Sequence, residues 1–151
     1  MSRSRFDPAA RTLGAAVDRV FDEGGPLARA VPEFEPRAGQ RAMAAAVADA
    51  IEQGRVLLAE AGTGTGKTLA YLVPAILSGR RVLVSTGTKT LQELIFSKDL
   101  PLLQESLGVS FKATYMKGRG NYLCLHRLDQ FRDNPMALAF ADADTMAAIG
   151  D

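Results

Sequence analysis

Apolar side chains follow two different periods along the chain. Between residues 38 and 53 they recur every four positions, which predicts an amphipathic helix with one inner face. Residues 56–59 form a short, unbroken apolar run, which is typical of a strand buried on both faces. The residues predicted on the inner face of the helix are Met43, Val47 and Ile51, and two further strands are predicted at residues 81–85 and 111–117. Helices that alternate with short strands indicate an α/β fold with a parallel sheet.

Glycine, proline and capping residues predict where the other helices begin and end. Gly24, Gly25 and Pro26 interrupt the first helical pattern, and Gly54 ends the helix that starts at residue 38. Thr88, Asp99 and Asn121 are suitable caps for the helices that follow them. The predicted helices cover residues 8–23, 27–31, 38–53, 67–77 (with a kink at Pro74), 88–97, 99–108 and 121–131, together with the last twenty residues.

Composition narrows the class of protein. The 151 residues are 47% apolar and 23% charged, which is typical of one globular domain and excludes a collagen-like or disulfide-rich chain. Cys124 is the single cysteine, so no internal disulfide forms and a reducing, cytoplasmic setting is expected. The longest apolar stretch, residues 69–77, is too short to span a membrane. The basic start of the chain precedes no apolar segment, so no secretory signal is predicted.

The net charge of +1 conceals an uneven distribution. Residues 61–120 carry eight basic and three acidic side chains, including all five lysines of the protein. The rest of the chain carries ten basic and fourteen acidic side chains. This pattern is compatible with a solvated surface, and it also favours a site for the phosphates of a nucleotide or of a nucleic acid.

A phosphate-binding loop follows the first predicted strand. Its glycines permit positive φ and leave room for backbone N–H groups to converge on an anion, while the helix beginning at Lys67 adds its N-terminal amides. Lys67 is the candidate catalytic cation for the β- and γ-phosphates, and Thr68 is the candidate Mg²⁺ ligand. The loop consists of Ala61, Gly62, Thr63, Gly64, Thr65, Gly66, Lys67 and Thr68. The strand before it and the helix after it favour nucleotide binding over a surface loop without a ligand.

Phosphate hydrolysis usually needs a second element, a strand that ends in an acidic residue and holds Mg²⁺. No such strand follows the loop in these 151 residues. Asp22 and Glu23 precede the loop and fit a charged helix end better. A small P-loop kinase or phosphotransferase, and a non-catalytic nucleotide-binding module, remain alternatives at this point.

Four segments, in this order and spacing, resemble the start of a DinG-type DNA helicase, one of the bacterial relatives of XPD in helicase superfamily 2. They are residues 34–43 (FEPRAGQRAM), 60–71 (EAGTGTGKTLAY), 85–92 (STGTKTLQ) and 117–124 (KGRGNYLC). The resemblance implies a P-loop NTPase fold, with a RecA-like parallel sheet and flanking helices. It implies ATP and Mg²⁺ as cofactors, single-stranded or forked DNA as the partner, and movement in the 5′-to-3′ direction.

The resemblance also assigns roles to residues outside the loop. Arg37 and Gln40 match a motif on the adenine side of the nucleotide, although a solvated glutamine at a helix start is the simpler alternative. Ser85, Thr86, Thr88 and Lys89 match a motif that contacts the single-strand backbone, although Thr88 also suits helix capping. Cys124 matches the first of four cysteines that hold a 4Fe–4S cluster. One thiolate cannot hold such a cluster, so a lone buried or reactive thiol is the alternative here.

The predicted organisation is a helical lead-in at residues 1–35, a partial ATP-binding domain at 36–128 and a truncated helical end at 129–151. We expect the N-terminal part of a longer helicase, which binds ATP but does not work as a helicase by itself. An incomplete sheet leaves an unpaired edge, so poor solubility or a dynamic region beyond residue 128 is also expected.

Overall fold

The computed structural model describes residues 12–32 and 34–133 of the chain. Seven α-helices lie in these ranges, and we number them in chain order. They are α1 (Leu13–Val20), α2 (Pro26–Ala30), α3 (Ala38–Gln53), α4 (Lys67–Leu77), α5 (Lys89–Leu94), α6 (Leu100–Leu107) and α7 (Leu125–Arg132). A π-helical turn, Ile95–Asp99, joins α5 to α6, and a 3₁₀ turn spans Arg119–Asn121. None of the described helices is long and apolar enough to cross a membrane.

The helices of the first part of the chain share one apolar core. Helix α3 packs against both α4 and α1, and α2 packs against α6. The buried core side chains are Leu13, Val17, Val20, Phe21, Leu27, Ala44, Ala48, Ala70, Leu72, Val73, Ile95 and Leu103. Residues 13–27, which belong to the predicted lead-in, therefore bury their apolar side chains in the same core as the helices around the phosphate loop.

The inner face of α3 differs from the predicted one by one position. Its buried residues are Gln40, Ala44 and Ala48, whereas the three predicted residues, Met43, Val47 and Ile51, are only partly buried. Small alanine side chains let the backbone of α3 approach its neighbours closely, so the face with the alanines lies innermost. The sequence prediction was wrong on this point because it ranked the larger apolar residues first.

None of the three predicted strands forms strand pairing within the described residues. Val56 and Leu58 are 92% and 94% exposed, and Leu83 is also 94% exposed. A strand is stabilised by hydrogen bonds to a neighbouring strand, and these segments do not pair with one another. The prediction of a parallel sheet is therefore not confirmed.

Several predicted helix ends are confirmed, and two are wrong. Gly54 and Gly108 end α3 and α6 in the left-handed conformation, with φ of 66° and 60°. Asp99 does not cap α6, because the chain is already helical there as it leaves the π-helical turn. Asn121 does not cap α7, since its side chain donates to the Gly118 carbonyl, 3.0 Å away, and α7 begins only at Leu125.

The chain divides into two compact units, the first ending at Tyr115 and the second beginning at Met116. In the first unit, the rings of Phe96 and Tyr115 lie 4.6 Å apart. In the second unit, the amide of Lys117 donates to the Tyr122 hydroxyl, 2.8 Å away. The predicted helix beyond residue 133 and the predicted start of the first helix at residue 8 lie outside the described residues.

Candidate functional site

The phosphate loop turns into α4 through two glycines with positive φ. Gly64 has φ of 75° and Gly66 has φ of 78°, a region that other L-residues rarely adopt. Gly66 is also the N-cap residue of α4. These two glycines change the direction of the chain so that α4 begins at Lys67, directly after the loop.

The Lys67 side chain is folded over the loop itself. Its Nζ donates to the carbonyl oxygens of Ala61, at 2.7 Å, and Gly62. The Thr65 hydroxyl donates to the same Gly62 oxygen at 2.9 Å. The carbonyl oxygens of Ala61 and Gly62 therefore accept hydrogen bonds from the protein. The N–H groups of the same peptide units point the other way, where an anion can bind.

Two side chains from the start of α3 reach the loop. The Gln40 Nε2 donates to the Gly66 carbonyl at 3.0 Å, and Arg37 donates to the Gly64 carbonyl. Gln40 is only 6% exposed, so the alternative of a solvated glutamine is wrong. The predicted contact of both side chains with adenine stays a prediction.

The amides of the loop have no protein partner within the described residues. None of the N–H groups of residues 62–66 donates a hydrogen bond there, and the loop is half-buried or exposed. Free amides beside a helix N-terminus and a lysine are the arrangement that holds a phosphate group. The geometry of the loop is thus compatible with binding the phosphates of a nucleotide.

A tyrosine that sequence reasoning missed lies next to Thr68. Burial raises the pKa of the Tyr71 hydroxyl, a hydrogen bond with Thr68 lowers it, and the nearby Asp99 carboxylate raises it. Tyr71 follows Thr68 by three residues on α4, so the two share one helix face, and that spacing was the available signal. No comparable signal pointed to Asp99, which comes close to Tyr71 only through the π-helical turn that packs against α4.

The predicted nucleic-acid residues lie at the start of α5. The Thr88 hydroxyl caps this helix by accepting from the Leu91 amide at 3.3 Å, and the Thr86 hydroxyl donates to the Thr88 carbonyl at 3.1 Å. The capping role of Thr88 is confirmed. Ser85 and Lys89 are exposed, and contact of all four residues with DNA stays a prediction.

Cys124 is exposed at the N-cap position of α7, so the alternative of a buried thiol is wrong. Across the described part of the chain, no group of three or more His, Cys, Asp or Glu side chains is arranged to hold a metal ion. Asp22 pairs with Arg41 at 2.9 Å, which agrees with its assignment to a charged helix end.

Comparison with known proteins agrees with the geometry of the loop. Residues 41–130 match the family model described as DEAD/DEAH box helicase. The chain is 52% identical over 110 residues to the ATP-dependent DNA helicase YoaA of Escherichia coli, covering 73% of this chain and 17% of that protein. It is 50% identical over 100 residues to the ATP-dependent helicase DinG of Mycobacterium tuberculosis, covering 61% of this chain and 15% of that protein.

The DinG helicase of Escherichia coli is 46% identical over 108 residues, covering 68% of this chain and 15% of that protein. The chain thus spans about a sixth of the length of the curated relatives it matches. No solved structure matches it. The DinG-type resemblance of the four sequence segments is confirmed, and the phosphotransferase alternative is not favoured.

Proposed function

This chain belongs to the DEAD/DEAH box helicase family, and we propose that its loop at residues 61–68 binds ATP and Mg²⁺ for a DNA helicase. The observation that carries the proposal is the set of loop amides without protein partners, beside the N-terminus of α4 and the Lys67 ammonium. ATP is the nucleotide because the related helicases named above are ATP-dependent.

Different residues of the loop bind different parts of the nucleotide and its Mg²⁺. The amides of residues 62–66 and the first turn of α4 surround the phosphates. Lys67 leaves the carbonyls of Ala61 and Gly62 and donates to the phosphate oxygens, which are stronger acceptors because they are charged. The Thr68 hydroxyl suits Mg²⁺, a cation that prefers oxygen ligands. When bound, Mg²⁺ would neutralise part of the negative charge of the phosphates.

The parallel sheet belongs to the proposal as well. The segments at residues 56–59 and 81–85 carry apolar side chains that are largely exposed, notably Leu58 and Leu83. We expect these segments to pair with strands from the rest of a helicase domain, because the matched residues cover only 17% of the related helicase YoaA. The sheet would then hold the phosphate loop from behind.

The proposed partner is single-stranded or forked DNA, and the proposed direction of movement is 5′ to 3′. Ser85, Thr86, Thr88 and Lys89 are the proposed contacts, because short hydroxyls and a lysine suit a phosphate backbone without sequence preference. Cys124 is the proposed first ligand of a 4Fe–4S cluster. That cluster needs three further cysteines, which these 151 residues do not contain, so Cys124 alone does not fit it. A cytoplasmic location likewise stays a prediction.

Binding without turnover is the expected behaviour of these 151 residues, since no acidic residue that ends a strand follows the loop. The test is calorimetric titration with Mg·ATP of the chain and of Lys67→Ala, with Lys112→Ala as the control at an exposed lysine. Lys67→Ala should weaken binding roughly tenfold to a hundredfold, as expected for a lost hydrogen bond to a charged group. Equal binding by both lysine variants would refute the assignment of the site. ATP turnover that disappears in Lys67→Ala would refute the expectation of inactivity.

A further inference from the structure

We infer that the lead-in helices α1 and α2 position the proposed DNA contacts at residues 85–89, by anchoring the helical segment that follows these contacts to α3 and α4. The inference rests on the proposed function, since it concerns the same contacts. Both lead-in helices precede the family match at residues 41–130, so that match assigns them no role.

Helix α5, the π-helical turn and α6 form one continuous helical rod, residues 89–107. The chain keeps right-handed helical dihedral angles at both junctions, through Leu94 and Ile95 and again through Asp99 and Leu100. At about 1.5 Å per residue the rod is roughly 25–30 Å long. Its first turn is capped by Thr88, so the proposed DNA contacts are attached to its N-terminal end. A change in the direction of the rod therefore moves these contacts.

Helix α5 depends on the rest of the rod for its orientation. None of its own residues is buried, and its main contact among the described helices is with the π-helical turn that follows it. The buried residues of the rod are Ile95 and Leu103, which are 7% and 0% exposed. The packing around these two side chains thus determines where α5 points.

Helix α2 provides the main packing partner of the far end of the rod. It packs against α6, and its Leu27 is 0% exposed in the same core cluster as Leu103. A smaller contact joins the π-helical turn to α4. The lead-in therefore supplies the larger of these two attachments.

The lead-in is itself tied to both ends of α3. The Leu13 amide donates to the Glu52 Oε1 at 2.8 Å, near the end of α3, and Asp22 pairs with Arg41 at 2.9 Å, near its start. Helix α1 also packs against α4. The lead-in thus connects the helices on either side of the phosphate loop to the rod. Weakening the contact between α2 and α6 should loosen the rod and leave α3 and α4 in place.

The experiment uses Leu27→Ala, which removes most of the α2 side chain in this contact, and Leu27→Val, a milder change that should still fold. Affinities are measured separately for a fluorescent oligothymidylate and for Mg·ATP. We expect Leu27→Ala to weaken oligothymidylate binding about threefold to tenfold, because the contacts lose preorganisation, and to change Mg·ATP binding by less than about twofold. Leu27→Val should have a smaller effect in the same direction.

The matched control is Leu72→Ala, which removes an equally large side chain of α4 that is 3% exposed. It tests whether a general loss of core packing produces the same result, and it should weaken Mg·ATP binding at least as much as oligothymidylate binding. Equal weakening of both ligands by Leu27→Ala would overturn the inference. Unchanged oligothymidylate affinity in this variant would also overturn it.

A second readout separates this inference from the proposed function. Amide hydrogen exchange is followed by NMR without any ligand, and Leu27→Ala should speed up exchange in residues 89–107 while the middle of α3 and of α4 stays protected. Leu72→Ala should not show this selective effect. If the unchanged chain does not bind oligothymidylate, the proposed DNA contacts fail, and the exchange result still decides whether α2 anchors the rod. Unaltered exchange of the rod in Leu27→Ala would refute the inference.

Discussion

Gly25 packs against the backbone carbonyl of Arg19 so closely that a side chain does not fit between them. A Cβ at position 25 would lie 2.4 Å from the carbonyl oxygen. The same Cβ would lie 2.7 Å from the Val20 carbonyl oxygen. Both atoms belong to the end of α1, so the tight turn from α1 into α2 depends on a residue without a side chain. This turn places Phe21 and Leu27 in the core that also supports α3 and α4.

Gly25→Ala should therefore destabilise the protein by about 2–3 kcal/mol, since the clash is with backbone that cannot move without disturbing α1. Urea unfolding measures the change. Gly24→Ala is the matched control, because a Cβ at position 24 meets nothing within 4 Å and should change the free energy of unfolding by less than about 0.5 kcal/mol. Equal effects of the two substitutions would contradict the described turn.

Leu103 and Leu83 lie at opposite extremes of burial. Their substitution tests whether the predicted strand at residues 81–85 is unpaired in this chain. Leu103 is 0% exposed and Leu83 is 94% exposed. Leu103→Ala should lower the free energy of unfolding by roughly 2–5 kcal/mol, and Leu83→Ala by less than about 0.5 kcal/mol. The same pair in a longer chain that completes the sheet tests the sheet proposal, because Leu83→Ala should then become costly. A persistently small effect of Leu83→Ala in that chain would argue against pairing of residues 81–85.

Stability should depend on the ionisation of Asp99. Burial raises the pKa of the Asp99 carboxyl above its ordinary value of 3.8, and the positive charge of Lys98 partly lowers it. Since the pKa is higher in the folded state, the folded protein binds more protons, and stability falls as pH rises from about 3.8 through the raised pKa.

Asp99→Asn removes this dependence, so the stability of this variant relative to the unchanged chain should increase with pH across the mildly acidic range and then level off. Thermal unfolding between about pH 3.5 and 7 measures the effect. Asp18→Asn, at an exposed position on α1, is the control for the exchange of a carboxylate for an amide. A relative stability of Asp99→Asn that decreases with pH would mean that the sign is wrong.

The exposed thiol of Cys124 should react with a water-soluble disulfide reagent at one equivalent per chain. Labelling should proceed at a similar rate with and without denaturant, because Cys124 is exposed among the described residues. Cys124→Ser should show no labelling and thereby identify the site. Labelling that occurs only after unfolding would show that the thiol is buried.

Local sequence signals predicted much of the helical part correctly. The bounds of α3 and α4 agree with the prediction to the residue, because Gly54 ends α3 and Gly66 precedes α4. The Thr88 cap and the Gly108 end were also predicted from residue type. Such ends depend on the conformations open to one or two residues, which the chain reveals without tertiary contacts.

Predictions that needed contacts between distant residues were less successful. The apolar period places Met43, Val47 and Ile51 on the inner face of α3, whereas the close approach of α4 and α1 buries Ala44 and Ala48. Asp99 is a suitable cap by residue type, but the preceding π-helical turn continues into α6 without a break at this residue. In both cases a neighbouring segment determined the local structure, and that structure could not be predicted from residue type alone.

The sequence by itself determined the phosphate loop, because the glycines, Lys67 and Thr68 are adjacent in the chain and their chemistry follows from their order. The order of four short segments also indicated a DinG-type helicase, and the relatives named DinG and YoaA confirm that resemblance. Only the tertiary structure decided that Gln40 is buried against Gly66, 26 residues away, and that the charge of Asp99 acts on the Tyr71 hydroxyl. Such contacts depend on how whole helices pack. Packing brings together groups that are far apart along the chain, and their spacing in the sequence does not predict the contact.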